Sequence, residues 1–182
     1  TTVTGKLAAA QASLAGASAL TRLISVEWSI KDRFAPVWVI NGDIDYYVGT
    51  YSINDKRKAD IDFAGPYFVT GQGLLVKNGG TDYQSLEELE GKTVCSATGS
   101  TPIQNIKENF PGIKTQEFDL YSACVESLIS GQVDAVTTDQ AILIGYAAQD
   151  PENLMVTTGP LLTEENYGVG LAKGDDVLRP HL

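Results

Sequence analysis

Hydrophobic and polar positions change their period several times along this chain, and each change predicts an element. From Lys6 to Ile24, Leu7, Leu14, Leu20 and Leu23 stand among alanines and serines, which predicts a helix after an extended Thr1 to Gly5. Ser25 to Ile30 predicts a short strand, and Lys31 to Ile40 a compact helix with Pro36 in its first turn and Asn41-Gly42 as its stop. The β-branched and aromatic run Asp43 to Val48 then predicts a strand that delivers the chain to Thr50.

Further on, Phe68 to Val76 is apolar and glycine-interrupted, a strand leaving the first half of the molecule, with Lys77 to Gly80 as a turn. Ser85 and Glu88 have the spacing of a capping box that opens a short helix ended by Gly91. Lys92 to Ala97 predicts a strand, after which Thr101 is placed as an N-cap, Pro102 as the first helical residue and Gln104 as the partner in a capping box. Ile103, Ile106 and Phe110 mark the apolar face of that helix. A helix from Ser122 to Ile129 stops at Ser130-Gly131, and Gln132 to Val136 leads to Thr137-Thr138-Asp139 and a helix from Gln140 to Ala148. A strand around Leu154 to Thr157 and the glycine-spaced strand Tyr167 to Ala172 complete the series.

The helix-to-strand junctions Gly42-x-Ile44-Asp45 and Gly131-x-Val133-Asp134 are parallel in pattern. Two α/β units, each ending in a polar cluster at the carboxyl end of a strand, predict two similar lobes that face a shared cleft.

Composition narrows the chemistry. With 182 residues, 43% hydrophobic and 20% charged, the chain has the apolar content for a packed core. No apolar run approaches the roughly 20 residues that span a bilayer, and the N-terminus lacks a basic-then-apolar leader, which fits a mature or trimmed chain. A formal net charge of -10 argues against nucleic acid, so an anion would have to be held by local groups. Two cysteines, Cys95 and Cys124, without CxxC spacing are too few for a zinc cage. They form one disulfide, contributing about 3 kcal/mol in the chain-entropy model, or remain two buried thiols. The single histidine, His181, lies next to the C-terminus, and no HExxH, GxSxG or Cys-His arrangement is present. No metal or cofactor is implied.

Candidate binding chemistry gathers in three places. Thr50 and Ser52 face one side of an extended backbone, and Arg57 follows about a helical turn later. A guanidinium fork with neighbouring hydroxyls suits a carboxylate, although Arg57 is equally one of four charges in a solvated turn, Asp55 to Lys58. Gly99, Ser100 and Thr101 precede a helix, where free N–H groups and the positive dipole end suit an anion or simply make a capped helix. Asp139 reads as the N-cap of the helix from Gln140, as the counter-ion of a ligand ammonium, or both.

The run Thr50-x-Ser52-x-x-x-x-Arg57, followed by Ile61-Asp-Phe-Ala-Gly-Pro-Tyr67, resembles the signature of the family 3 solute-binding proteins of amino-acid ABC transporters. From about Asn41 to Leu178, roughly three quarters of the chain, the resemblance is dense and is strongest to actinobacterial glutamate-binding proteins, through Gly49 to Lys58, Val94 to Thr101 and Asp134 to Asp139. It implies an α/β, two-lobed, periplasmic-binding-protein-like (type II) fold with the ligand cleft between lobes. Lobe 1 is expected over 1–76 and 168–182 and lobe 2 over 77–167. It implies Arg57 for an α-carboxylate, closed upon by Gly99, Ser100 and Thr101, with Asp139 on the α-ammonium and Thr50 and Ser52 supplying lobe 1's share. Cys95 and Cys124 are implied to pair as a disulfide.

The implied protein is a monomeric, extracytoplasmic receptor, lipid-anchored in full-length form or secreted, that hands a free amino acid, glutamate favoured, to an ABC permease. The alternative is a dehydratase-like enzyme on the same scaffold acting on a small carboxylic acid. The sequence departs from the family where Lys6-Leu-Ala-Ala9 replaces acidic residues, in the absence of the family's first strand, and in ending soon after Leu178. Lobe 1 is therefore expected to be incomplete.

Overall fold

The computed structural model describes residues 37–182. The helix, strand and extended segment expected before Val37 lie outside the described residues, and residues 37–41 are helical, in line with the end of the helix expected over Lys31 to Ile40. The strand expected over Asp43 to Val48 shortens to β1 (Tyr46–Tyr47).

Two sheets follow. In the first, β8 (Glu165–Ala172) lies between β1 and β2 (Ile61–Thr70), antiparallel to both. The second has the order β5-β4-β6-β3-β7, built from β3 (Gln72–Lys77), β4 (Thr93–Ala97), β5 (Lys114–Phe118), β6 (Ala135–Asp139) and β7 (Leu154–Val156). Strand β4 runs parallel to β5 and β6, while β3 is antiparallel to β6 and β7.

Side chains alternate across the second sheet with the two-residue period of a strand. Leu74, Val76, Val94 and Ala135 face one side, where they pack with Leu86, Leu89 and Ile106. Leu75, Cys95 and Val136 face the other, against Cys124, Leu128 and Leu143. Helix α2 (Thr101–Asn109) therefore covers one face, and α3 (Tyr121–Ser130) and α4 (Gln140–Gln149) cover the other. With both faces covered, β3 and β4 carry apolar residues on both sides, whereas β5, at the sheet edge, reads Lys-Thr-Gln-Glu-Phe and is a strand the sequence pattern does not predict. Helix α3 ends at Gly131 in the left-handed region, φ 79°, as expected for a glycine stop. Cys95 and Cys124 are joined by a disulfide that ties β4 to α3, with Cα atoms 5.5 Å apart.

Strand pairing assigns the residues near the expected lobe limits to sheets. Gln72–Lys77, expected at the end of lobe 1, pairs in the five-stranded sheet, and the chain passes between the sheets at Gly71. Glu165 and Asn166, placed in 77–167, already pair with β2 in the three-stranded sheet. The crossing falls in Thr70-Gly71-Gln72, a short polar break inside the run from Phe68 to Val76. Two capping expectations are corrected. The box expected at Ser85 and Glu88 is a single 3-10 turn, Glu87–Leu89, led by Leu86 without a side-chain cap, and Glu88 Oε2 accepts instead from Gln84 N at 2.9 Å. Ser100, not Thr101, is the N-cap of α2, its Oγ accepting from Ile103 N at 3.4 Å. Pro102 is then the second helical residue, where its missing N–H still costs nothing.

Candidate functional site

Arg57 sits in a single turn, α1 (Asp55–Lys58), whose geometry is set by the residue before it. Asn54 is extended, and its Oδ1 accepts from Arg57 N at 2.8 Å, an N-cap that fixes where the arginine leaves the backbone. Its guanidinium lies 4.3 Å from the ring centroid of buried Tyr51, a cation–π contact, and Nη1 donates to the Ser52 carbonyl at 2.7 Å. Two independent contacts thus aim the fork.

Across from it, α2 presents its N-terminus. Arg57, Gly99 and Thr101 line one cleft of about 580 Å³, with Tyr51 and Asn54 on the arginine's side. Gln104, Asn105 and Glu108 continue the wall along α2, and Thr163 and Glu165 line it from the segment that leads into β8. The helix divides its faces as its spacing requires: Ile103 and Ile106 are fully buried, and the polar residues at the complementary positions face the cleft. A guanidinium opposite a helix N-terminus can hold a carboxylate from two sides.

The other expected site residues are not among those lining this cleft. Ser100 is buried and turned inward, its Oγ 3.0 Å from Ser96 Oγ, while Ser96 Oγ donates to Thr137 O at 2.7 Å. The Ser52 side chain is buried, and its part here is the carbonyl that accepts from Arg57. Thr50 is half-buried and is not among the residues lining the cleft. Asp139 is the N-cap residue of α4 by backbone position, as expected, but its side chain makes no cap bond; it is only 4% exposed, is not among the residues lining the cleft, and its Oδ2 accepts from the Tyr167 hydroxyl. Tyr167 in turn bridges its backbone to Ser52. Burial first, and then the Asp139 carboxylate, push the Tyr167 phenol far above its usual range, so it remains a donor.

A buried polar chain links the cleft wall to the crossing segments. Asn105 Nδ2 donates to Gln72 Oε1 at 2.9 Å, and Gln72 Nε2 to Thr137 Oγ1 at 2.9 Å. Gln72 N donates to Thr163 Oγ1 at 3.1 Å, and that hydroxyl to Glu165 Oε1 at 3.3 Å.

Sequence reasoning passed over Tyr51, Asn54, Glu165, Tyr167 and the polar face of α2. Asn54 had a signal, since asparagine before Asp-Lys-Arg-Lys is an N-cap pattern. The α2 face had one as well, as the positions complementary to its apolar stripe.

The model of bacterial extracellular solute-binding proteins, family 3, matches residues 26–180. The glutamate-binding protein GluB of Corynebacterium efficiens is 46% identical over 140 residues, covering 74% of this chain and 48% of that protein. The ABC transporter glutamine-binding protein GlnH of Bacillus subtilis is 44% identical over 139 residues, covering 76% of this chain and 50% of its own length. The chain thus spans about half the length of these relatives. Among solved structures, an ancestral arginine-binding protein bound to arginine aligns with a TM-score of 0.75 and 35% identity, over 81% of this chain and 66% of that one. The architecture is that of the type II periplasmic amino-acid-binding proteins. These relatives are binding proteins, and a dehydratase-like enzyme finds no support among them.

Proposed function

The chain belongs to the family 3 bacterial extracellular solute-binding proteins, and from that premise we propose that it carries the amino-acid cleft of an ABC-importer receptor, with glutamate the favoured ligand. The observation that carries the reading is the placement of Arg57 opposite the N-terminus of α2 across one cleft. Arg57 and the N–H groups of Gly99 and Thr101 take the α-carboxylate, the Ser100 N–H being already donated to Ala97 O, and Asp139, which does not line the cleft in this arrangement, takes the α-ammonium once the lobes close. Capture proceeds by hinge closure, the ligand favouring the closed form through contacts it makes only there. The family is extracytoplasmic. The whole protein acts at the cell surface, lipid-anchored or secreted, and passes its cargo to a permease as a monomer.

A second ligand, glutamine, is favoured by a specific feature. The cleft is lined by Asp60, Glu108 and Glu165 against Lys56 and Arg57, so a second ligand carboxylate meets more negative than positive neighbours. An amide side chain avoids that repulsion. Isothermal titration with L-glutamate, L-glutamine, L-aspartate and L-arginine tests both readings. Tight binding of glutamate or glutamine is expected, with Arg57→Ala costing several kcal/mol, roughly a hundredfold or more, because it leaves a desolvated carboxylate unpaired. No heat with any of the four, or an unchanged affinity in Arg57→Ala, overturns the proposal.

A further inference from the structure

We propose that Tyr167 is the positioning residue for the ammonium-binding carboxylate: its buried hydroxyl, carried on β8 of the three-stranded sheet, holds Asp139 at the end of β6 in the five-stranded sheet. The inference rests on the reading of Asp139 as the acceptor of a ligand ammonium.

Asp139 is the N-cap residue of α4, where an aspartate ordinarily accepts from the first N–H groups of its own helix. Its side chain makes no such bond and turns to Tyr167. A carboxylate 4% exposed needs donors to remain charged, and a phenol kept protonated by burial can only donate to it. The hydroxyl therefore gives the carboxylate a donor and a fixed direction.

Tyr167 is itself immobilised from the three-stranded side. Its ring centroid is 5.7 Å from that of Phe68 and 6.3 Å from that of Tyr67, and its backbone bridges Ser52. The Ser52 carbonyl also receives the Arg57 guanidinium. A short path of contacts consequently joins the two ends of the zwitterion site: Arg57 to Ser52, Ser52 to Tyr167, Tyr167 to Asp139. The ligand class this serves carries an α-carboxylate and an α-ammonium at fixed separation. The same hydrogen bond spans the two sheets, so the amine end of the site is aligned by the side of the molecule that holds the acid end.

The test is a double-mutant cycle on L-glutamate and L-glutamine affinity with Tyr167→Phe, Asp139→Asn and the pair together. Tyr167→Phe keeps the ring against Phe68 and removes one donor. It is expected to weaken binding roughly tenfold, the scale of a lost hydrogen bond to a charged group, and to weaken it less than twofold further once Asp139 is already asparagine. Ligand-observed NMR follows millimolar dissociation constants in the weaker backgrounds, and thermal melts confirm that each variant folds. An equal loss from Tyr167→Phe in both backgrounds means the hydroxyl acts through general packing, and no loss means it does not act; either overturns the inference while the receptor reading stands. Unchanged affinity in Asp139→Asn removes the ammonium role and this inference with it. A wild-type chain that binds neither amino acid overturns the receptor reading itself.

Discussion

Asp62 shows how much a single side chain fastens here. On β2, it accepts from the Gly174 backbone N–H at 2.8 Å, lies 3.0 Å from the Lys173 ammonium, and has the Arg179 guanidinium 3.8 Å away. The Gly174 N–H foremost, then Lys173, hold its carboxyl below the ordinary value of 3.8. A folded-state pKa lower than the unfolded one means the contribution to stability is present above the unfolded value and is lost as pH falls through the folded one. Asp62→Asn should therefore be less stable than wild type at neutral pH, with the gap closing below about pH 4. Urea denaturation from pH 7 to pH 3 measures it, and a gap constant across that range contradicts the assignment. At this scale Arg57 was legible because hydroxyls and a cation at short spacing have a recognisable chemistry. Its aim was not, since one of the groups that orient it is a backbone carbonyl, which leaves no mark on residue type. Tyr167 was invisible as a partner of Asp139 because 28 residues and a change of sheet separate them.

Among the elements, α2 was legible from its apolar spacing, α3 from its Ser130-Gly131 stop, and β8 from an apolar, glycine-spaced run. Strand β2 was not. Gly65-Pro66 interrupts it at the point where its register with β8 shifts, between Ala64 and Phe68, and residues 65–69 are exposed, so the run lacks a strand's alternation. The cap of α2 slipped by one because Ser100 and Thr101 both offer a hydroxyl, and only the extended backbone at Ser100, φ -68° and ψ 154°, separates them. The disulfide is the strongest tie between elements, joining β4 to α3 through two fully buried cysteines 29 residues apart. Closing a loop of that size stabilises the fold by about 3 kcal/mol through the unfolded chain. Replacing both cysteines by alanine should lower Tm by on the order of 10 °C for a chain of this size. A melt within 2 °C of wild type would mean the buried sheet and helix hold each other without it.

For the whole molecule, the decisive place is where the chain passes between sheets. Gly71 is the one residue between β2 and β3, and the returning segment lies directly on it, with Leu162 N donating to Gln72 O at 2.9 Å and Gln72 N to Thr163 Oγ1 at 3.1 Å. A Cβ at Gly71 would lie 2.1 Å from Thr163 O and 2.9 Å from Leu161 Cβ, closer than atoms can pack. The Gly71 carbonyl also accepts from Gln140 N at 2.8 Å, so the start of α4 is fastened to the same point. An added methyl must push the two crossing segments apart, and overpacking of this kind costs about 1–3 kcal/mol. Thr163 and Glu165 line the cleft from the displaced segment, so the damage reaches the site as well as the fold. Gly71→Ala should lower Tm by several degrees and weaken amino-acid binding together, whereas Gly145→Ala, inside α4 with open space around the Cβ, leaves the cleft untouched. Calorimetry and titration on both variants measure this. If Gly71→Ala melts and binds like wild type, the two crossings move independently, and a hinge built from their mutual contact is excluded.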